Sequence, residues 1–117
     1  MLTFYIILLA GNRVHDLKSF AQVTYQEAHD TEIMAIDFTD PQDKDSPLLV
    51  ATAGRDRLLH VFDVHNNYAL LQTLDDHSSS ITAIKFTADG SRMMSCGADK
   101  SIIFRNRHKV ITFDEKK

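Results

Sequence analysis

Cysteine is nearly absent from this sequence. The 117 residues hold one, Cys96, so no internal disulfide can form. A reducing compartment, cytosol or nucleus, is the simplest setting for such a chain. Clustered basic charge is lacking as well: the formal net charge is -3. Binding to a phosphate backbone needs a clustered basic face, so no nucleic-acid partner is expected. No apolar run is long enough to cross a bilayer, and no membrane partner is expected. The longest such run, Met1–Ala10, stands where a signal peptide would. It has no Lys or Arg ahead of it, and its length suits a buried β-strand better than a targeting segment. No stretch of 10 or more residues carries a helical period.

A metal-ligand cluster is not legible either. There are six histidines but no Cys/His grouping at zinc spacing. His60 and His65 are five apart, and on a strand an odd separation points them to opposite faces. No metal and no cofactor are expected. Gly97-Ala98-Asp99-Lys100-Ser101 has a faint look of a phosphate loop. It lacks the first Gly and the Gly-Lys pair, and no helix follows to supply a dipole.

Apolar residues, at 44%, are sufficient for a core, and they are arranged in a repeat. Ala28-His29-Asp30-Thr31-Glu32-Ile33-Met34-Ala35-Ile36-Asp37-Phe38 aligns on Asp76-His77-Ser78-Ser79-Ser80-Ile81-Thr82-Ala83-Ile84-Lys85-Phe86. Further on, Thr52-Ala53-Gly54-Arg55-Asp56-Arg57 aligns on Ser95-Cys96-Gly97-Ala98-Asp99-Lys100. The spacing drops from 48 to 43 because residues 39–47 form a long polar loop whose counterpart, 87–91, is short.

The local pattern is β throughout. Short branched or aromatic runs at 33–38, 48–52, 58–64 and 70–74 are repeated at 81–86, 92–96, 102–105 and 110–113, with turn residues between them. Asp89-Gly90 is a hairpin signal, since Gly accepts the positive φ of a tight turn. Pro41 and Pro47 fall in the long loop, where a missing N–H does no harm. Four short antiparallel strands at this period predict β-propeller blades.

At this point the sequence resembles the WD40 family, which places Gly-His near the start of each repeat and Trp-Asp near its end. Here Ala28-His29 is followed by Phe62-Asp63, and Asp76-His77 by Arg105-Asn106. An upstream partial unit, Gly11–Leu17, aligns on Leu58–Val64 through its Val-x-Asp core. The expected architecture is all-β: a partial WD40-type propeller of about two four-stranded antiparallel blades. Residues 1–27 would be a remnant of a preceding blade, 28–75 one blade and 76–117 another. Since a full ring needs several hundred residues, the chain reads as a fragment, a truncated isoform or an incomplete gene model, with neighbouring blades needed for stability.

A closer resemblance lies in Leu74–Phe86, Ser95–Ile102 and Arg55–Val61, which look like the mitogen-activated protein kinase-binding WD-repeat scaffolds. That family comprises the kinase-binding protein and its microcephaly-associated relative. The resemblance implies a large non-catalytic cytoplasmic scaffold of the c-Jun N-terminal kinase pathway, with tandem propellers and spindle-pole association. Its partners would be other proteins. The kinase-docking segments of the family lie in a tail beyond the propellers.

His29, Thr52 and Asp56, echoed by His77, Ser95 and Asp99, have the composition of a hydrolase triad. Their recurrence argues against catalysis, because an active site is normally built once. The resemblance implies instead a structural hydrogen-bond chain, with the turn Asp accepting from His and the His touching Ser/Thr. The fourth member is normally Trp, which donates through its indole N–H. Phe62 has no N–H and Arg105 brings a charge, so both networks are expected to be truncated. The alternatives from other classes are a β-rich hydrolase built on one His/Asp set, and a small secreted β-protein led by Met1–Ala10.

Three short features carry weaker signals. Arg57-Leu58-Leu59-His60-Val61 alternates like a kinase-docking peptide, but equally like a half-buried strand. Ser46-Pro47 is a minimal proline-directed phosphorylation site, set beside Asp43 and Asp45. Ser78-Ser79-Ser80 looks like a turn leading into a blade.

Overall fold

The structure, a computed structural model, describes residues 4–8, 12–16, 22–26, 29, 31–40, 45–108 and 112–115, with side chains for 29, 31–40, 45–107 and Phe113. Among the described residues, eleven strands fall into three antiparallel sheets, each in chain order. The first holds β1 (Phe4–Leu8), β2 (Asn12–Asp16) and β3 (Gln22–Gln26). The second holds β4 (Ile33–Phe38), β5 (Leu49–Gly54), β6 (Leu59–Asp63) and β7 (Ala69–Leu74). The third holds β8 (Ile81–Phe86), β9 (Arg92–Gly97), β10 (Ile102–His108) and β11 (Thr112–Glu115). This is the all-β architecture of a partial WD40 propeller, with two complete four-stranded blades.

Most strand bounds fall within two residues of the runs in the sequence. β10 runs on to His108, and β11 lies two residues later than the run 110–113. The remnant at the start supplies three strands. Because Asn12–Asp16 aligns on Leu59–Asp63, the first sheet corresponds to the second, third and fourth strands of a blade. β3 went unread in the sequence, although Val23 and Tyr25 alternate with polar neighbours there. The run Met1–Ala10 does contain a strand, β1; the burial of its side chains lies outside the described residues.

Register determines which side chains meet between blades. In the β5–β6 ladder Ala51 pairs with Val61 and Ala53 with Leu59, which places these four on one face. All four are fully buried, as is Leu49. They pack against Ile81, Ile84, Phe86, Met93 and Phe113 of the next blade. Full burial of a side chain such as Leu or Val stabilises by roughly 1.5–3 kcal/mol, so this seam is the main adhesive between the blades.

The small residues Ala51 and Ala53 let the two sheets approach closely. Polar links fasten the same seam. The Phe86 N–H donates to Asp37 Oδ2 at 2.7 Å, and the Asp40 N–H to the Ala88 carbonyl at 2.9 Å. The Asp89-Gly90 hairpin forms as expected, with Gly90 at φ 75°. The docking-like run is also accounted for: Leu59 and Val61 point into the seam with no exposure, so β6 uses them.

Candidate functional site

The two His/Asp sets sit at the same place in successive blades. In the first, His29 precedes β4, Thr52 lies on β5 and Asp56 occupies the β5–β6 turn. Nδ1 of His29 lies 3.0 Å from Asp56 Oδ2, and Nε2 lies 3.0 Å from Thr52 Oγ1. A carboxylate only accepts, so Nδ1–H donates to Asp56 and the Thr52 hydroxyl donates to Nε2. His29 and Thr52 are buried. Asp56 also accepts from the Leu58 N–H at 3.2 Å, which closes the turn. Gly54 is required here by close approach: a Cβ would stand 2.7 Å from the Glu32 carbonyl oxygen.

The second set is wired differently from the sequence expectation. Nε2 of His77 is 2.7 Å from Ser95 Oγ, but Nδ1 meets Ser101 Oγ at 3.1 Å rather than Asp99. Ser101 in turn donates to Asp99 Oδ1 at 2.5 Å, and Ser78 donates to Asp99 Oδ2. A serine is thus interposed between the histidine and the turn aspartate. The Asp99 N–H donates to Ser79 Oγ at 2.9 Å. The sequence places Ser78 and Ser79 in a turn leading into the blade but gives no sign that they and Ser101 join the network of Asp99.

The expected truncation at Arg105 does not occur. Phe62 pairs with Val50 and Arg105 with Met93, so the two occupy the same repeat position. Arg105 is 1% exposed and donates from its guanidinium to Ser95 Oγ at 2.7 Å. It also donates to Asp76 Oδ2 at 2.9 Å. It therefore supplies the donor that an indole N–H would, while Asp76, in the position where the family has Gly, balances its charge.

The donors align in one direction. Arg105 gives to Ser95, Ser95 to His77, His77 to Ser101 and Ser101 to Asp99. This order requires a neutral imidazole. Burial, then the nearby Arg105 charge, lowers the His77 pKa and favours that form. At the far end, hydrogen bonds from Ser101 and Ser78 hold the Asp99 carboxyl well below the usual carboxylate range.

These arrangements are poorly suited to catalysis. Thr52 and Ser95 have no exposure, so neither oxygen can reach a substrate. The two sets lie on different blades and do not converge on one pocket, as an active site requires.

A third histidine departs from the repeat. His60 pairs with Thr52 on β5–β6, whereas Ile103 pairs with Ser95 in the next blade. His60 is 5% exposed and its ring stands edge-on to that of His29, with centroids 4.5 Å apart. Among the described residues, His29, Asp56 and His60 are one group whose ligand atoms all lie within 4.8 Å of one another. The sequence reading had weighed His60 against His65, which the structure puts in an exposed 3-10 turn, Val64–Asn66.

Comparison with known proteins agrees with this architecture. The WD40 family, described as WD domain, G-beta repeat, matches residues 68–106. That span takes the last strand of one blade, β7, and the first three of the next, so the sequence repeat and the structural blade are offset by one strand. Mitogen-activated protein kinase-binding protein 1 of Homo sapiens is 55% identical over 100 residues, covering 83% of this chain. WD repeat-containing protein 62 of Sus scrofa is 52% identical over 105 residues, covering 86%. The chain spans only 6% and 7% of the lengths of these two relatives. With its blades, its repeated His networks and these similarities together, the chain is a WD40-repeat protein that resembles the mitogen-activated protein kinase-binding WD-repeat proteins over most of its own length.

Proposed function

We propose that the chain acts as part of a non-catalytic protein-interaction scaffold in a kinase pathway. The observation that carries this reading is the use of His29 with Thr52 and of His77 with Ser95 as buried fasteners at equivalent places in two blades, which leaves neither hydroxyl open to a substrate. The similarity to a relative whose name states that it binds a mitogen-activated protein kinase supports the pathway. By the same resemblance the kinase is c-Jun N-terminal kinase, and the place of action is the cytoplasm with the centrosome or spindle pole.

The chain on its own is not expected to bind that kinase tightly, because the one docking-like run is engaged in β6. A pull-down with purified kinase tests both points. Scaffolding predicts that a protein carrying this chain within a complete propeller and tail retains the kinase, while the 117-residue chain does not. If the longer protein retains none, the pathway assignment fails. Strong retention by the short chain, lost when Leu59 and Val61 are both replaced, would overturn the assignment of that run to a strand.

A further inference from the structure

We propose that His29, Asp56 and His60 form a binding site for a divalent transition-metal ion of zinc type. The argument begins with the departure from the repeat. His29 and Asp56 have counterparts in the next blade, so their pairing alone is structural. His60 has none: the equivalent position is Ile103, and an apolar residue is what a buried strand position favours. Burying an imidazole there instead, against a second imidazole and a carboxylate, places three ligand groups together in one blade only, among the described residues.

The surroundings fit the chemistry. Imidazole nitrogen and carboxylate oxygen are both zinc ligands, and two histidines with one acidic residue leave a fourth position for water. A metal-bound imidazole normally has its other ring nitrogen fixed by a hydrogen-bond partner. Both histidines meet this condition through a threonine. Thr52 Oγ1 stands 3.0 Å from His29 Nε2, and Thr73 Oγ1 stands 2.9 Å from His60 Nδ1. The ring nitrogens that would meet an ion are then Nδ1 of His29, on the side of Asp56, and Nε2 of His60.

On binding, the ion takes the place of the proton between His29 Nδ1 and Asp56. That proton moves to Nε2, which then donates to Thr52. A hydroxyl both donates and accepts, so Thr52 supports either state by rotating its hydrogen. The next blade cannot do the same, because Ser101 separates His77 from Asp99.

The test uses the chain within a complete propeller, stripped of metal with a chelator. Co²⁺ is added and the visible d–d absorption followed; Zn²⁺ is then used to displace it. The expected result is a tetrahedral-type Co²⁺ band that Zn²⁺ abolishes, together with a rise in melting temperature with Zn²⁺. His60→Ile, which copies the neighbouring blade, loses both signals while keeping the fold. Asp56→Asn keeps the hydrogen bond to His29 and weakens binding. Thr73→Val weakens it by roughly tenfold or more, as removal of an outer hydrogen bond does. His65→Ala changes nothing. Absence of the band in the unmodified chain, or an equal band in His60→Ile, overturns the proposal.

Discussion

The side-chain amide of Gln72 and the backbone of Phe113 exchange two hydrogen bonds across the seam between blades. Gln72 Nε2 donates to the Phe113 carbonyl at 2.9 Å, and the Phe113 N–H donates to Gln72 Oε1 at 2.8 Å. The glutamine thus imitates a peptide unit and adds one rung between two sheets that share no ladder. Gln72→Ala leaves both backbone groups of Phe113 without that partner, next to a fully buried ring. The expected loss is about 1–3 kcal/mol. Chemical denaturation measures it, and faster exchange of the Phe113 amide proton would place the loss at this seam.

The two turn aspartates should not weigh equally. Asp56 accepts directly from buried His29, so Asp56→Ala is expected to lower stability by about 1–3 kcal/mol. Asp99 is exposed and meets Ser101 and Ser78 instead. Asp99→Ala should therefore lower the melting temperature less than Asp56→Ala. Thermal denaturation of both variants in a complete propeller checks the order, and unchanged melting for both would reject the roles given to these turns.

Arg105 offers a sharper contrast. Arg105→Ala removes a buried donor from Ser95 and strands Asp76 near the seam. Loss of one partner of a buried ion pair costs several kcal/mol when the other stays dry. Asp76 has 40% side-chain exposure, so water recovers part of that, and a loss of about 1–3 kcal/mol is expected. Pairing the change with Asp76→Ala should cost little more than Arg105→Ala alone, which a double-mutant cycle in denaturant will show.

Acid should loosen the third sheet in two stages. His77 has a lowered pKa when folded, so its contribution to stability is full above its unfolded value of about 6.5 and is lost as pH falls through the folded value. Its Nε2 accepts from Ser95, and protonation removes that acceptor. Asp89 is held at about 2 by the backbone and side chain of Ser91 and by Thr87. With a folded value below the unfolded one, its contribution is present above about 4 and disappears as pH falls toward about 2. Melting temperature against pH should show the two steps, and His77→Gln should erase the upper one.

The chain by itself is expected to associate. Phe38, Leu70, Ile102 and Phe104 are each more than half exposed, at 51, 52, 57 and 54%. Phe104 and Met94, with Lys85 and Arg92, line an open concavity of about 610 Å³ on the third sheet. Such patches beside open sheet edges favour assembly at micromolar concentration. Sedimentation and amide hydrogen exchange decide: a monomer with slow exchange through both blades would show a self-sufficient domain.

The strand positions of the two four-stranded blades, the hairpin at Asp89-Gly90 and the recurrence of His29 at His77 and of Asp56 at Asp99 were all determined by the sequence itself. Alternation and turn chemistry are local properties: the pleat repeats every two residues, and a tight turn needs particular backbone angles. Tertiary structure alone decided which polar groups meet. Arg105 finds Asp76 and Ser95 through strand register. Ser101 slips between His77 and Asp99, and Gln72 reaches Phe113 in another sheet. His60 faces His29, not its chain neighbour His65, because pairing with Thr52 sets its side. Bulges at Val61/Phe62 and Ile81/Ala83 shift the register within strands whose apolar pattern runs on. A one-residue shift moves a side chain to the other face, and hydrogen bonds act over about 3 Å, so periodicity in the chain could not have fixed these partners.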